Sequence, residues 1–204
     1  MENRELRKKR GVTMLKDLVK MNRSYRGFDE QRIISKEELM EFVDYTRFTA
    51  SSVNAQPLKY CLVCEKVQVD KLQELTKWGR ALPHLELPHK GKRPTGFIVI
   101  CQDTAIGESL ARYQKDIGIA AQTILLAAVE HGLGGCMIGN FNAGHVKKQL
   151  DLREEIVPVL IVAIGKPEEE IVLTEAEPGG DISYYRDEND VHNVPKRRLE
   201  DIIL

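Results

Sequence analysis

Cysteine is sparse in this chain: four in 204 residues cannot make a disulfide scaffold, and with no export signal the thiols are expected to stay reduced. Charge of one sign is lacking as well. Lys plus Arg (30) nearly balance Asp plus Glu (31), and a formal net charge of -1 gives no reason to expect nucleic acid, an anionic membrane or an acidic substrate as partner. No apolar run reaches the roughly 20 residues that span a bilayer. The most apolar stretch, residues 117–129, contains Gln122 and Thr123 and reads as a buried helix. Arg4, Arg7, Lys8, Lys9 and Arg10 are followed by no apolar segment that would serve as a signal-peptide core, so a cytoplasmic location is expected. Glu2 and Glu5 interrupt that basic arm and no aromatic interleaves it, which argues against a nucleic-acid contact. Repeats, low-complexity tracts and Pro/Gly/Ser-rich linkers are missing too. The simplest organisation is one domain over residues 1–204, with residues 1–11 as an N-terminal arm.

What is present, 42% apolar and 30% charged residues, is enough for a sizeable core. A first helix is expected over about residues 12–21. A second starts at the capping box Ser35-Lys36-Glu37-Glu38 and carries Leu39, Phe42, Val43 and Thr46 at helical spacing. Residues 58–64 read as a strand, 70–77 as a short helix stopped by Gly79, and 97–101 as a fully buried strand. Residues 108–131 read as a long helix, apolar on nearly every side, and 156–164 as a third strand ended by Gly165-Lys166-Pro167. Residues 80–95, with three prolines, two histidines and Gly91 but no apolar period, read as a long loop of the kind that serves as a lid or substrate loop. Cys61 and Cys64 form a C-x-x-C, yet an odd separation in a strand sends side chains to opposite faces, so packing is expected before a redox pair or half a zinc site. Strands separated by helices imply a mixed α/β or α+β layer, and pattern alone does not separate the two.

Four clusters carry chemistry. In Arg23-Ser24-Tyr25-Arg26, a continuing helical turn would set both guanidinium groups on one face to converge on an anion, with the Ser24 hydroxyl as a further donor. A terminal phosphate fits; a solvated helix end would show the same residues. In Ser51-Ser52-Val53-Asn54-Ala55-Gln56-Pro57, Pro57 pushes Gln56 toward extended geometry, in which Asn54 and Gln56 point the same way. Two carboxamides suit the alternating N–H and C=O edge of a heteroaromatic ring such as a flavin, with Ser51 reaching a polyol; a polar loop entering a strand is the plainer alternative. Between His131 and Gly139, Gly132 stands where a helix C-cap belongs, while Gly134, Gly135 and Gly139 allow a flat ligand close to the backbone. The spacing is not a dinucleotide fingerprint, which follows a strand and opens a helix. Last, Lys196 and Arg198 in an extended segment face one side and would complete the neutralisation of a phosphate of charge about -2, unless the three adjacent cations are a solvated tail.

In this order the clusters resemble the nitroreductase family of FMN proteins, from about residue 18 to the C-terminus. The motifs are R-S-x-R at residues 23–26, S-x-x-N-x-Q-P at 51–57, a long helix running into G-L-G-G-x-x-I-G at 132–139, and K-x-R at 196–198. The resemblance implies an α+β homodimer with a central, largely antiparallel sheet flanked by helices in three α/β/α layers, and one non-covalent FMN at each subunit interface. By residue, it implies Arg23, Arg26, Lys196 and Arg198 on the phosphate, with Ser24 at the same end. It places Ser51, Asn54 and Gln56 on the ribityl chain and ring edge, with the Asn-Gln loop able to come from the other subunit. Backbone near Ile138 and Gly139 would lie against the redox-active centre. The implied activity is hydride transfer from NAD(P)H through flavin N5 to a small acceptor such as a nitroaromatic or quinone. The alternatives are a non-catalytic FMN-binding or sequestering protein and a different flavin chemistry on the same fold. Ala50 stands where Pro is common and Leu58 where an aromatic is frequent, departures that bear on the subfamily. No catalytic side chain is named, acceptor specificity is expected in the loop 80–95, and His84 and His89 within it make no convincing metal site.

Overall fold

The most continuously apolar strand, β3 (Gly96–Asp103), is buried at every position, as a strand covered on both faces must be. The computed structural model, which describes residues 14–204, sets it between β2 (Leu58–Val63) and β5 (Ile156–Pro167), antiparallel to both. The basic arm at residues 1–11 lies outside the described residues. β5 also pairs with β4 (Gly134–Ile138) along residues 161–165 and with β1 (Phe28–Asp29) at Lys166 and Pro167, again antiparallel. With every pairing in the central sheet antiparallel, the choice left open by pattern resolves to α+β.

Alternation along β3 and β5 divides the core in two. On one face Ile98, Ile100, Val162 and Ile164 pack with Leu39 and Phe42 of α2 (Lys36–Asp44) and with Ile117, Ala121 and Ile124 of α4 (Gln114–Glu130). On the other, Phe97, Val99, Ile161 and Ala163 meet Val69 and Leu72 of α3 (Lys66–Glu74) and Val146 of α5 (Ala143–Gln149). The result is the helix–sheet–helix layering expected. Cys61 joins the second core and Cys64 the first, so the C-x-x-C straddles the sheet. Helix α1 (Leu15–Met21) differs from the rest in having no buried residue. No helix among the described residues is long and apolar enough to cross a membrane.

Local signals fix several ends. Ser35 Oγ accepts from the Glu38 N–H at 3.1 Å and the Glu38 carboxylate accepts from the Ser35 N–H at 2.9 Å, the complete capping box. At the end of α4 the Leu133 N–H reaches the Ala128 carbonyl at 2.9 Å and the Gly132 N–H that of Val129 at 3.0 Å, with Gly132 at φ 72°. That is a full Schellman closure, which requires the left-handed residue.

Other expectations need correction. α3 starts at Lys66, where Lys66 pairs with Asp70 at 2.6 Å, and ends at Glu74, because Thr76 leaves the helical path to bridge Phe141. α4 begins at Gln114 rather than 108, after turns in which Tyr113 fills the space over Gly107. Gly165-Lys166-Pro167 continue β5 instead of ending it, since β1 pairs there. The glycine-rich stretch after α4 is itself strand β4. A second sheet was not anticipated: β6 (Ile171–Glu175) runs parallel to β8 (His192–Lys196), and β7 (Tyr185–Arg186) pairs antiparallel on the other side of β8.

Candidate functional site

The helical turn expected at Arg23-Ser24-Tyr25-Arg26 is absent. α1 stops at Met21 and Asn22 is extended (φ -74°, ψ 98°). Ser24 then bridges Gly135 of β4, and the Tyr25 N–H donates to the Gly135 carbonyl at 3.0 Å. The edge of β4 supplies hydrogen bonds that a helix would otherwise provide, and its two glycines make the approach possible. A Cβ on Gly134 would lie 2.5 Å from the Tyr25 ring, and one on Gly135 would fall on the carbonyl oxygen of Ala163. These glycines therefore dock the chain on itself and are not open to a flat ligand. Gly139, by contrast, has nothing within 4 Å of its missing Cβ.

The extended segment, β4, α4 and β8 surround a cavity of about 370 Å³. Arg23, Ser24, Arg26 and Lys196 all line it, together with Gln122, Met137, Tyr184 and His192. Among the described residues, three lining side chains are cations and none is a carboxylate. Among the described residues, Arg23, Arg26 and Lys196 take part in no ion pair. The two arginines donate to main-chain carbonyls: Arg23 Nη2 to Val19 at 2.8 Å and Arg26 Nη1 to Ser24 at 3.2 Å. The Arg26 guanidinium lies 5.0 Å from the centre of the Tyr184 ring, a cation–π contact that positions it without neutralising it.

Burial dominates the local electrostatics. It pulls the Arg23 pKa down, against a smaller opposing effect of Tyr25. His192 is pushed down to about 4 by burial and then by Arg26 and Arg186, so the ring is uncharged at neutral pH. The Cys136 thiol is pushed up to about 11, chiefly by burial, and stays protonated. Arg23 Nε and both ring nitrogens of His192 are buried with no hydrogen-bond partner among the described residues. Uncompensated cations and buried groups free to hydrogen-bond, gathered in one cavity, are the chemistry of an anion site, and a terminal phosphate fits them.

The amide loop lies apart from this cavity. Ser51 and Gln56 line a smaller depression of about 170 Å³ with Arg47, Thr49 and Asp116. Nor is the loop extended as expected. Ser52–Asn54 form a 3-10 turn, and Val53, Asn54 and Gln56 have φ of 48°, 54° and 50°, in the left-handed region. The cause is Asp116, buried in the first turn of α4, whose carboxylate accepts from Ser51 Oγ at 2.6 Å and the Ser52 N–H at 3.0 Å. Ser51 Oγ in turn accepts from the Gln56 N–H at 2.9 Å, and this set outweighs the extended preference before proline. Asn54 and Gln56 still end side by side, with Gln56 Nε2 donating to Asn54 Oδ1 at 3.1 Å.

Of the remaining candidates, Ile138 is buried in the second core and Gly139 follows at the end of β4. Arg198 does not line the cavity; it pairs with Glu175 at 3.3 Å and Glu177 at 3.1 Å. The loop 80–95 is tied to the C-terminal segment by the Ala81 N–H on Tyr184 Oη at 3.4 Å and by His89 Nε2 to Asp190 at 3.3 Å. Sequence reasoning missed Asp116, Tyr184 and His192. Only Asp116 carried a signal, an acid immediately before the apolar run 117–129.

The Nitroreductase family model matches residues 19–82 and 108–166, more than half of the chain. The chain belongs to the nitroreductase family. Among nitroreductase relatives, a Bacillus subtilis (strain 168) protein provisionally named NAD(P)H nitroreductase YodC is 26% identical over 182 residues, covering 76% of this chain and 90% of that protein. An FMN-dependent nitroreductase from Clostridium difficile R20291 superposes with a TM-score of 0.61 at 22% identity, over 75% of this chain and 87% of that one. A provisionally assigned nitroreductase from Exiguobacterium sibiricum 255-15, solved in complex with FMN, gives 0.65 at 19% identity, over 77% and 90%. These structures share the nitroreductase fold with the present chain. The family match includes Arg23, Arg26, Asn54, Asp116 and Gly139 and stops at residue 166, so Tyr184, His192 and Lys196 reach the cavity from beyond it.

Proposed function

We propose that the protein holds FMN non-covalently and works as an oxidoreductase, taking electrons from NAD(P)H and passing them to a small acceptor such as a nitroaromatic or quinone. One observation carries the reading: among the described residues, Arg23, Arg26 and Lys196 line a cavity without a carboxylate, beside buried polar groups that have no hydrogen-bond partner. Three cations exceed the charge of about -2 on a phosphate monoester, and Ser24 adds a hydroxyl. The names of the curated relatives and the FMN in a structural neighbour support the choice of ligand.

When bound, FMN supplies the two-electron chemistry at its ring. The chain's task is to orient the flavin and keep its surroundings fixed. In this reading Arg23, Arg26 and Lys196 anchor the phosphate, the Asn54 and Gln56 carboxamides address the ring edge, Ser51 addresses the ribityl chain, and the open backbone at Gly139 lets the ring approach.

The amide loop and the cationic cavity are distinct depressions of one subunit, and we assign their meeting to a homodimer in which the loop of one subunit closes the cavity of its partner. The surface supports this: Phe48 (79% exposed) precedes the loop, Val53 (76%) lies in it, and α1 presents Leu15 at 67%, apolar area that a second copy would cover.

The test is the absorption spectrum of the purified protein, release of FMN on boiling, and anaerobic addition of NADH or NADPH. Stoichiometric FMN that bleaches supports the proposal. FMN that stays oxidised with both nucleotides marks a sequestering protein, and a protein that takes up no FMN rejects the reading altogether.

A further inference from the structure

We infer that His192 is a direct ligand of the flavin phosphate, an uncharged N–H donor that makes the site select phosphorylated flavin over riboflavin. The inference rests on the FMN reading above, and goes beyond it in assigning a residue outside the family-matched segments.

The backbone leaves this ring little freedom. His192 opens β8, its N–H donates to the Glu170 carbonyl at 2.9 Å, and it pairs with Ile171 on one side and Arg186 on the other. The residue is 2% exposed, and its ring meets Tyr184 edge-on with centroids 5.3 Å apart. Tyr184 also lies under the Arg26 guanidinium, so one aromatic ring holds both groups in place. His192 lines the cavity with Arg23, Arg26 and Lys196, and in the free protein its ring nitrogens lie beneath that wall, so a phosphate oxygen reaches one only with a small turn of the ring. Neither ring nitrogen has a partner among the described residues, and a buried polar ring with both nitrogens idle is uncommon in a structural role.

Charge explains why a neutral histidine suits this position better than a permanent cation. Arg26 and Arg186 both act on the ring, and only Asp190 opposes them. A further permanent cation there would be repelled in the free protein. A neutral imidazole contributes an N–H to a phosphate oxygen and adds no such cost.

The experiment titrates apoprotein with FMN and separately with riboflavin, following flavin fluorescence, for the wild type, His192→Phe and His192→Gln. Phe keeps the ring contact with Tyr184 and removes the donor; Gln restores a donor. Loss of one hydrogen bond to a charged group predicts FMN binding about 10- to 100-fold weaker in His192→Phe, with riboflavin binding unchanged and much of the loss recovered in His192→Gln. An unchanged ratio of FMN to riboflavin affinity in His192→Phe overturns the inference. If that variant does not fold, the ring ¹⁵N resonances of His192 in the wild type decide: a shift with FMN but not riboflavin supports the assignment, and no shift overturns it. A wild type that fails to prefer FMN over riboflavin would instead defeat the parent reading, whatever the variants do.

Discussion

Replacing Asp116 with Ala tests whether the amide loop is held from α4. In the folded protein its carboxylate accepts from Ser51 Oγ at 2.6 Å and the Ser52 N–H at 3.0 Å. Hydrogen bonds to a charged group contribute about 1.5 to 3 kcal/mol each, and an acid in the first helical turn about 0.3 to 1 kcal/mol more. Against this stands the desolvation of a buried carboxylate, which the Ala variant no longer has to meet. Water from the adjoining depression can also partly satisfy the released donors. A net loss of roughly 2 to 4 kcal/mol follows. Asp116→Asn should lose about half as much, because its amide oxygen still serves the Ser52 N–H while the Ser51 hydroxyl, already accepting from Gln56, is left without an acceptor. The assay is urea unfolding, read as a shift in midpoint at constant slope. Flavin affinity should fall as well, since Asn54 and Gln56 lose the anchor of their turn. An Ala variant within about 0.5 kcal/mol of wild type, with flavin retention intact, would show that the loop is shaped by something other than Asp116.

Arg26→Ala should weaken FMN binding by about 1.5 to 3 kcal/mol through loss of a charge-assisted contact; calorimetry giving an unchanged affinity would mean the phosphate lies elsewhere. Gly135→Ala puts a methyl group on the Ala163 carbonyl and should cost at least about 2 kcal/mol of stability, with loss of bound flavin because the Arg23 to Arg26 segment docks on that residue; a variant as stable as wild type would contradict the packing. His192 has a folded pKa of about 4 against an ordinary 6.5, so the unfolded chain takes up the proton first. Its contribution to stability is therefore complete above pH 6.5 and lost as pH falls toward 4, with a slope approaching about 1.4 kcal/mol per pH unit. His192→Phe apoprotein should show one proton less in that dependence, and identical pH profiles would refute the assignment of a neutral buried ring.

The features legible in the sequence were those written in a few adjacent residues. Ser35 and Glu38 cap the same helix they announce, Gly132 closes α4, and the apolar run of β3 is buried throughout. The features missed were set by distant partners. Arg23 to Arg26 look like a helical continuation until Gly135, far along the chain, offers a strand edge. Gly134 and Gly135 look like room for a ligand until Tyr25 and Ala163 fill it. The Asn54 loop looks extended before Pro57 because nothing nearby reveals that Asp116 will gather its donors. In each case the residue types at the site were readable, whereas the backbone path joining them was fixed by a contact between elements that no local pattern encodes.

That distinction extends to the sign of the cavity. Cations crowd this end of the molecule, and whether an anion is attracted depends on where the carboxylates are placed. Glu169, with 4% of its side chain exposed, binds the Arg186 guanidinium and the main-chain N–H of Arg26. It thereby fixes the Arg26 backbone to the C-terminal sheet while leaving the Arg26 guanidinium unneutralised. Glu175 and Glu177 likewise engage Arg198, which takes that charge out of competition. A buried ion pair such as Glu169 with Arg186 is a poor source of net stability, so its value here lies in geometry: it holds the chain where Arg26 can reach the cavity. Were the same glutamate turned to the Arg26 side chain, the R-S-x-R motif would be intact in sequence and much weakened as an anion site. The segment after residue 166 thus supplies part of the wall, through Tyr184, His192 and Lys196, and also the counter-charges that leave that wall positive.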